Sequence, residues 1–545
     1  MRSRFAVRAP APRPDDPVRS ATARGRALLL DAAIAIGVAT LAALVFLQTR
    51  SFGFVNFDDP SYLSANDAVR AGLSWRGARW AFTTFATGNW HPLTWLSLML
   101  DIDLFGVDPG RSHLVNVVLH AVNAIMLYAT LRAATGIAWR SALVAALFAV
   151  HPLHVESVAW ISERKDLLSA FFGLLCLAAH VRYARTGRIS WYLGSLGALV
   201  LGLASKPMLV SAPVLLLLLD RWPLRRSEPL ARLVLEKIPF FLAAAASSAV
   251  TIVAQRAGGA VTTLAGLPLS SRIANAVVSY AGYLGKTVWP SSLAAAYPHP
   301  AFAGSGISPA AVAASAALLL VISCTCALQW RRRPFLAIGW AWFLVTLVPV
   351  SGLVQVGIQS MADRYTYLPL VGIFLSVVWA VPDRIGRAAR LAVAAGCAVV
   401  IATLAMVAHA QTAYWSDSVT LFEHALTVTG DNPTALRNLG VAHVERGEYR
   451  RGILALRESL RIFPGDAWAW MDLGVALTSS GDDAGAEDAF REAFRLRPDD
   501  ETVLYNVGMF AATHGRADVL RTVLTRLQEV SPPLARELAS RAHLE

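Results

Sequence analysis

Residues 471–481 read Met-Asp-Leu-Gly-Val-Ala-Leu-Thr-Ser-Ser-Gly, and the frame Asp472-Leu473-Gly474 recurs at intervals of 34 residues as Asn438-Leu439-Gly440 and Asn506-Val507-Gly508. Gly447, Gly481 and Gly515 follow each frame, Pro464, Pro498 and Pro532 close the units, and Phe490 and Ala493 take second-helix positions of the middle unit. A fixed period of this length, with apolar residues at helical spacing, predicts helical hairpins that stack on a shared core and leave a concave groove. A half unit over 414–430, in which Phe422 and Ala425 match Phe490 and Ala493, precedes units over 433–466, 467–500 and a degenerate 501–534, with a capping helix to residue 545.

This is the tetratricopeptide (TPR) pattern, and the chain before about residue 410 differs from it. Overall 55% of the residues are hydrophobic and 16% charged, with a mean hydropathy of +0.48. That balance predicts a multi-spanning membrane protein whose only sizeable soluble part is the repeat array. The net charge of +12 does not point to nucleic acid, because residues 411–545 carry 14 basic and 20 acidic side chains and the whole positive excess lies upstream. A basic belt at cytoplasmic headgroups explains it better. The four cysteines, Cys176, Cys324, Cys326 and Cys397, fall in apolar stretches and show neither a disulfide framework nor zinc spacing. Abundant arginine and alanine look like a GC-rich bacterial genome.

Apolar runs of bilayer length fall near 27–49, 112–133, 141–158, 166–183, 190–205, 207–220, 237–255, 307–329, 334–351, 366–382 and 389–410, so the fold class read here is all-α: a bundle of about eleven spans followed by the TPR solenoid. The first run reads as an anchor, and residues 1–26, rich in Pro and Arg, as a disordered cytoplasmic N-terminus. Arginines gather in alternate loops, at Arg182, Arg185 and Arg188, Arg221, Arg225 and Arg226, Arg331 to Arg333, and Arg384, Arg387 and Arg390. The positive-inside rule makes that side cytoplasmic. An odd number of crossings then puts the repeats outside the cytoplasm. The stretch 273–290 is expected to lie on or dip into the outer face. The long first outer loop, 50–111, with Trp75, Trp80, Trp90 and Trp95, is expected to form short helices along the membrane surface.

Chemistry concentrates on the outer side. Asp58-Asp59 follows the first span closely and reads either as a base for a substrate arriving from the bilayer or as an Asx turn before Pro60. His151-Pro152-Leu153-His154-Val155-Glu156 and Ser162-Glu163-Arg164-Lys165-Asp166 pack seven titratable groups into 16 residues at a membrane edge. Intramembrane charge is costly without a task. His151, His154 and Glu156 match no zinc signature well, and substrate contacts or hydrogen bonding are preferred to a metal. Arg164, Lys165, Lys206, Lys286 and Arg364, with few acids between them, suit an anionic phosphate, although snorkelling is the bland alternative. His113, Asn116, His120 and Asn123 form one helical stripe, read as interhelical hydrogen bonding.

The order of FVNFDDP (54–60), WHPLTWLSLMLDIDLFG (90–106), HPLHVESVAWISERKDLLSAFF (151–172), KPMLV (206–210), YLGKTVWP (283–290) with YPHP (297–300), and MADRYTYLPL (361–370), followed by TPR units, resembles bacterial relatives of the transmembrane and TPR-containing O-mannosyltransferases, in the GT-C superfamily. The resemblance implies a glycosyltransferase that moves a sugar from a polyprenyl-phosphate donor to Ser or Thr hydroxyls of a protein, with inversion, on the non-cytoplasmic face of the bacterial inner membrane. It implies Asp58 and Asp59 as catalytic residues and Arg164, Lys165, Arg364 and Lys206 on the donor phosphate. His91, His151, His154, Glu156, Asp166, Asp363 and Tyr365 would shape the substrate site. The lipid-linked sugar is a substrate rather than a cofactor, no metal ligands are assigned, and a divalent metal stays open. The acceptor segment would lie in the TPR groove. A noncatalytic scaffold and a lipid or glycan transporter are the competing classes.

Overall fold

In the computed structural model, which describes residues 17–257, 267–302 and 306–542, all eleven apolar runs are helical. Local chemistry sets where they begin and end. Asp108 caps Pro109–Thr135 by accepting from the Arg111 N–H at 3.0 Å, Pro109 sits in the first turn where no N–H is needed, and Gly136 stops the helix at φ 78°. Among the described residues six helices are long and apolar enough to cross a membrane, and the pair Ala138–Val150 and Pro152–Ala159, bent by 57°, makes a seventh if it is one span. The other runs are shorter. Ile189–Leu203, Pro334–Val350 and Pro369–Ala380 stay below full spanning length, and the run at 207–220 opens with a 3₁₀ turn, Pro207–Ser211, before Ala212–Arg221.

Successive helices run back and forth between two ends. At one end Arg185 donates to Ala134 O at 3.2 Å and Arg140 to Val381 O at 2.6 Å. At the other, Gln255 meets Asn89 at 3.1 Å, His151 donates to Thr287 O at 3.1 Å and Lys206 reaches Glu163. The helix Leu269–Val288, which takes up all but the last two residues of the stretch 273–290, has both termini at this second end: Arg272 reaches Leu353 O near its start, and Thr287 meets His151 near its finish. The first outer loop forms Asp67–Arg70, Trp75–Thr83 and Pro92–Phe105, which enclose a small core of their own around Tyr62, Trp95, Leu98 and Ile161. Tyr297–Pro298 pairs antiparallel with Gln359–Met361, a short strand pair that an all-helical reading omits.

Residues 1–16 lie outside the described residues. From Pro17 the chain is helical through Phe46, so residues 17–26 are not the disordered extension their composition suggests.

The repeats are helix pairs: Pro433–Glu445 with Tyr449–Ile462, Ala467–Ser480 with Asp483–Leu496, and Glu501–Thr513 with Ala517–Val530, then Pro532–Arg541. Residues 543–545 of the expected cap lie outside the described residues. The 34-residue glycine has a packing cause: a Cβ on Gly474 would sit 2.8 Å from the Phe490 ring, so only glycine lets the two helices of the unit close up. The array also shares the bundle's core. Trp415 and Phe422 are buried, Phe57 stacks on Trp160 at 4.8 Å and meets Phe422 edge-on at 5.8 Å, and the Asn56 side chain donates to Asn438 O at 2.9 Å. The loop carrying Asp58 is therefore clamped between a broken membrane helix and the first repeat elements.

Candidate functional site

Proline breaks the helix that builds the site. Pro152 has no N–H to continue the Ala138–Val150 ladder, so carbonyls at its C-terminus need other donors in a place without water. Histidines supply them: His154 Nδ1 donates to Phe148 O at 2.8 Å and His120 Nε2 to Ala149 O at 3.1 Å. The chain then crosses the bundle as an entirely buried segment from His151 to Leu167. Asn116 holds this segment through Val158 O at 3.2 Å and Trp160 O at 3.0 Å, and Asn123 donates to Leu167 O at 2.9 Å. The polar stripe is thus interhelical glue for the crossing segment, with His113 reaching Gly53 O at 3.3 Å.

Above it opens a cavity of about 610 Å³. Its wall carries polar Asp58, Tyr62, His91, Glu163, Lys165, Lys206, Arg364 and Tyr365 together with apolar Met208, Val210, Ile252, Val350 and Val354. Asp58 and Asp59 face different surroundings. Asp59 is fully buried and saturated: Oδ2 accepts from Val55 N–H at 3.0 Å, and Oδ1 accepts from Ser162 N–H at 3.1 Å and its hydroxyl at 2.5 Å. Burial pushes its carboxyl up to about 6 against those hydrogen bonds. Asp58 keeps 42% of its side chain open toward the cavity, and its one ion pair among the described residues is with Lys165 Nζ at 3.9 Å. Burial raises its carboxyl above the ordinary range, with Lys165 pulling the other way. Of the two, Asp58 is the one a substrate can reach.

Three cations converge beside it. Lys165 lies 3.2 Å from Glu163 and 3.2 Å from the Tyr62 hydroxyl, with its ammonium 4.3 Å from the Tyr62 ring centroid. Lys206 bonds Glu163 at 2.9 Å and Asp166 at 2.7 Å. Arg364 grips Glu156 through side chain and backbone, and its Nε lies 3.3 Å from Glu163. These cations do not stand in the acid-poor setting that loop composition suggests. Each is fixed by buried carboxylates, and Glu163 touches all three.

Several residues grouped by sequence point elsewhere. Arg164 does not face the cavity: fully buried, it spends its N–H groups on Asp101 at 2.8 and 3.2 Å, Ser97, Ser112 O and Asn116, so it pins the outer loop to the bundle and leaves nothing for a phosphate. His151 and His154 sit beneath the cavity against Phe374 and Tyr367. Glu156 and Asp166 orient Arg364 and Lys206 from behind. Asp363 accepts from the Tyr297 hydroxyl at 3.0 Å, and burial together with the Glu156 charge pushes it up to about 8. His91 lines the wall between Tyr62 and Trp95; burial and the nearby lysines hold it well below the usual imidazole range, and its buried Nε2 has no partner among the described residues.

Among the described residues no group of three or more His, Cys, Asp or Glu is arranged to hold a metal ion. His151, His154 and Glu156 are each turned to a different protein partner: Thr287 O, Phe148 O and Arg364. Sequence reasoning missed the central position of Glu163, which reads only as one charge in a run, and the cavity faces of Tyr62, Gln255 and Gln359, which carry no pattern at all.

A tetratricopeptide-repeat family profile matches residues 415–467 and 437–501. The chain is 32% identical over 154 residues to protein O-mannosyl-transferase Tmtc2 of Drosophila melanogaster, which is 27% of this chain and 16% of that protein. It is 34% identical over 176 residues to TMTC1 of Mus musculus (30% and 18%), and 29% identical over 167 residues to TMTC2 of Homo sapiens (28% and 20%). The matches thus span a fifth or less of these curated relatives. A solved structure of the APC/C hetero-tetramer Cut9–Hcn1 aligns at 14% identity with a TM-score of 0.25, covering 88% of this chain and 99% of that one, too weak a likeness to bear on the fold. The chain thus carries tetratricopeptide repeats and, over less than a third of its length, is similar to the protein O-mannosyl-transferases.

Proposed function

We propose that the chain is a membrane glycosyltransferase that moves a sugar from a polyprenyl phosphate to a Ser or Thr hydroxyl of a protein, with inversion at the anomeric carbon. The observation that carries this reading is the cavity: one exposed carboxylate, Asp58, beside three held cations and next to an apolar wall. A polyprenyl-phosphate sugar has a part suited to each: a hydroxyl-rich ring, an anionic leaving group and an apolar tail.

In this mechanism Asp58 takes the proton of the acceptor hydroxyl as its oxygen bonds to the anomeric carbon. The bond from that carbon to the phosphate oxygen breaks on the opposite side, and its electron pair leaves with the polyprenyl phosphate. No general acid is required, because the phosphate departs as a stable anion beside Lys165, Lys206 and Arg364. Glu163, Asp166 and Glu156 fix these cations before substrate arrives, so little reorganisation is needed during the reaction. His91, with a ring nitrogen unpartnered among the described residues, and Tyr365 would meet the sugar. The repeats stand at the cavity end of the bundle and would raise the local concentration of an acceptor segment. On this reading that end lies outside the cytoplasm, supported by the positive-inside pattern, and the membrane is a bacterial cytoplasmic one.

Membranes holding the wild-type chain, supplied with a series of labelled polyprenyl-phosphate sugars including mannose, are expected to pass label to protein, and membranes holding Asp58→Asn are not. Undiminished transfer by the variant would remove Asp58 from the chemistry. Label from none of the donors in the wild type would favour the scaffold or transporter classes.

A further inference from the structure

A second cavity, of about 580 Å³, lies at the arginine end of the bundle, far from Asp58. Arg140, from the first turn of Ala138–Val150, Arg225, after Ala212–Arg221, and Arg332 with Arg333, from the turn before Pro334–Leu347, line it together with Trp222 and Trp379. Arg225, Arg332 and Arg333 are exposed, and none of them forms an ion pair among the described residues. Arg140 is 5% exposed; one terminal nitrogen holds Asp383 at 2.9 Å and Val381 O at 2.6 Å, while its buried Nε has no partner among the described residues. Asp383 is the one acid on the cavity wall.

Three further features point to an anion. The N-terminal turns of two helices, Ala138–Val150 and Pro334–Leu347, open onto the cavity with their positive dipole ends. Arg225 is held at φ 52°, a left-handed conformation that a non-glycine residue keeps only where its surroundings impose it. The Trp222 and Trp379 rings meet edge-on at 5.6 Å, and amphipathic rings of this kind favour the headgroup depth of a bilayer. At the cavity near Asp58 the cations beside that carboxylate, Lys165, Lys206 and Arg364, are already matched by carboxylates. Here three guanidinium groups are not, and they converge where span ends meet headgroups.

We infer that this cavity binds the headgroup phosphate of an anionic phospholipid of the leaflet on the arginine side. Guanidinium forks suit a phosphate, the apolar helix faces next to the cavity suit acyl chains, and cationic pockets between spans on the cytoplasmic side are where anionic headgroups bind.

The test uses the full chain purified in detergent and examined by native mass spectrometry with phosphatidylglycerol or phosphatidylcholine. Phosphatidylglycerol is expected to be retained at least about tenfold more strongly, and R225Q/R332Q/R333Q to weaken it about a hundredfold, at roughly fivefold per cation. R225K/R332K/R333K, which preserves the charges that set topology, is expected to stay within about tenfold of wild type. Should the triple glutamine variant fail to fold, Arg333→Gln alone is expected to be roughly fivefold weaker. Equal retention of the two lipids, unchanged retention in a folded glutamine variant, or displacement by inorganic phosphate as readily as by phosphatidylglycerol would each overturn the assignment. The readout is lipid binding, so it stands apart from the transferase reading.

Discussion

Asp58→Asn and Asp59→Asn make the same chemical change at adjacent positions and should produce opposite defects. The Asp58 carboxylate accepts no hydrogen bond among the described residues, and its single ion pair there, at 3.9 Å, joins the buried Lys165 to its own half-open side chain. Neutralising it should shift stability by no more than about 1 kcal/mol. Transfer should fall about 10²–10⁴-fold, the usual contribution of a positioned general base. Asp59 does not line the cavity beside Asp58, yet both of its oxygens accept from buried donors. In Asp59→Asn one oxygen can keep Ser162, but the amide nitrogen then faces the Val55 N–H, donor against donor. The orphaned buried N–H costs about 1–3 kcal/mol. The folded fraction should nonetheless transfer sugar within about tenfold of wild type. The assay is thermal melting of each variant in nanodiscs, combined with labelled-sugar transfer normalised to folded protein. A stable Asp59→Asn with no transfer, beside an unstable but active Asp58→Asn, would refute the division of roles.

The pH dependence of stability has a definite sign. Asp59 rises from the ordinary 3.8 to about 6 on folding, so the folded chain holds this proton more tightly than the unfolded one. The stability this adds is complete below 3.8 and lost as pH climbs through about 6; melting between pH 4 and 7 should show the decline, and Asp59→Asn should flatten it. For activity, the raised Asp58 carboxyl places the acid limb of the rate profile above the range of an exposed carboxylate, and Asp58→Asn should abolish that limb. Removing residues 467–545 should leave the bundle folded and lower transfer to long acceptors more than to short ones. Removing 414–545 strips the cover from Phe57 and Trp160 and should cost the fold of the site itself, read as lost melting cooperativity. Gly474→Ala, which drives a methyl into the Phe490 ring, should destabilise the array by about 1–3 kcal/mol, checked by melting of the full chain.

What could be read from the chain in advance follows the range of the forces involved. Gly474 recurs because one unit packs within itself, so its cause lies within a few turns of sequence, and the helix boundaries of the repeats could be read closely. The polar stripe from His113 to Asn123 declared a shared face by spacing alone. Arg164 and Lys165 are adjacent and equally charged, and no local pattern separates them. One turns toward Asp101, 63 residues earlier, and the other toward Tyr62 and the cavity, because successive residues of a helix point about 100° apart. Asp58 and Asp59 part in the same manner. His154 is legible as costly and not as a cap, since the Phe148 carbonyl that needs it is left free only once Pro152 has broken the helix.

The clamp on the Asp58 loop also constrains where an acceptor can enter. Gly53 N–H bonds Ser416 O at 3.1 Å, Asn56 N–H bonds the Ser418 hydroxyl at 2.9 Å, and Asn432 donates to Ala296 O at 2.9 Å. The first repeat elements therefore hold the carboxylate loop on one flank and the segment leading to Tyr297 on the other. Such an array cannot swing as a free arm on a flexible linker, because motion at Ser416 or Asn438 would drag the backbone next to Asp58. The effective concentration it gives a bound segment is then set by a fixed geometry and not by linker statistics. The same bonds tie the side of the membrane on which the repeats lie to that of the carboxylate, so evidence on either one locates both.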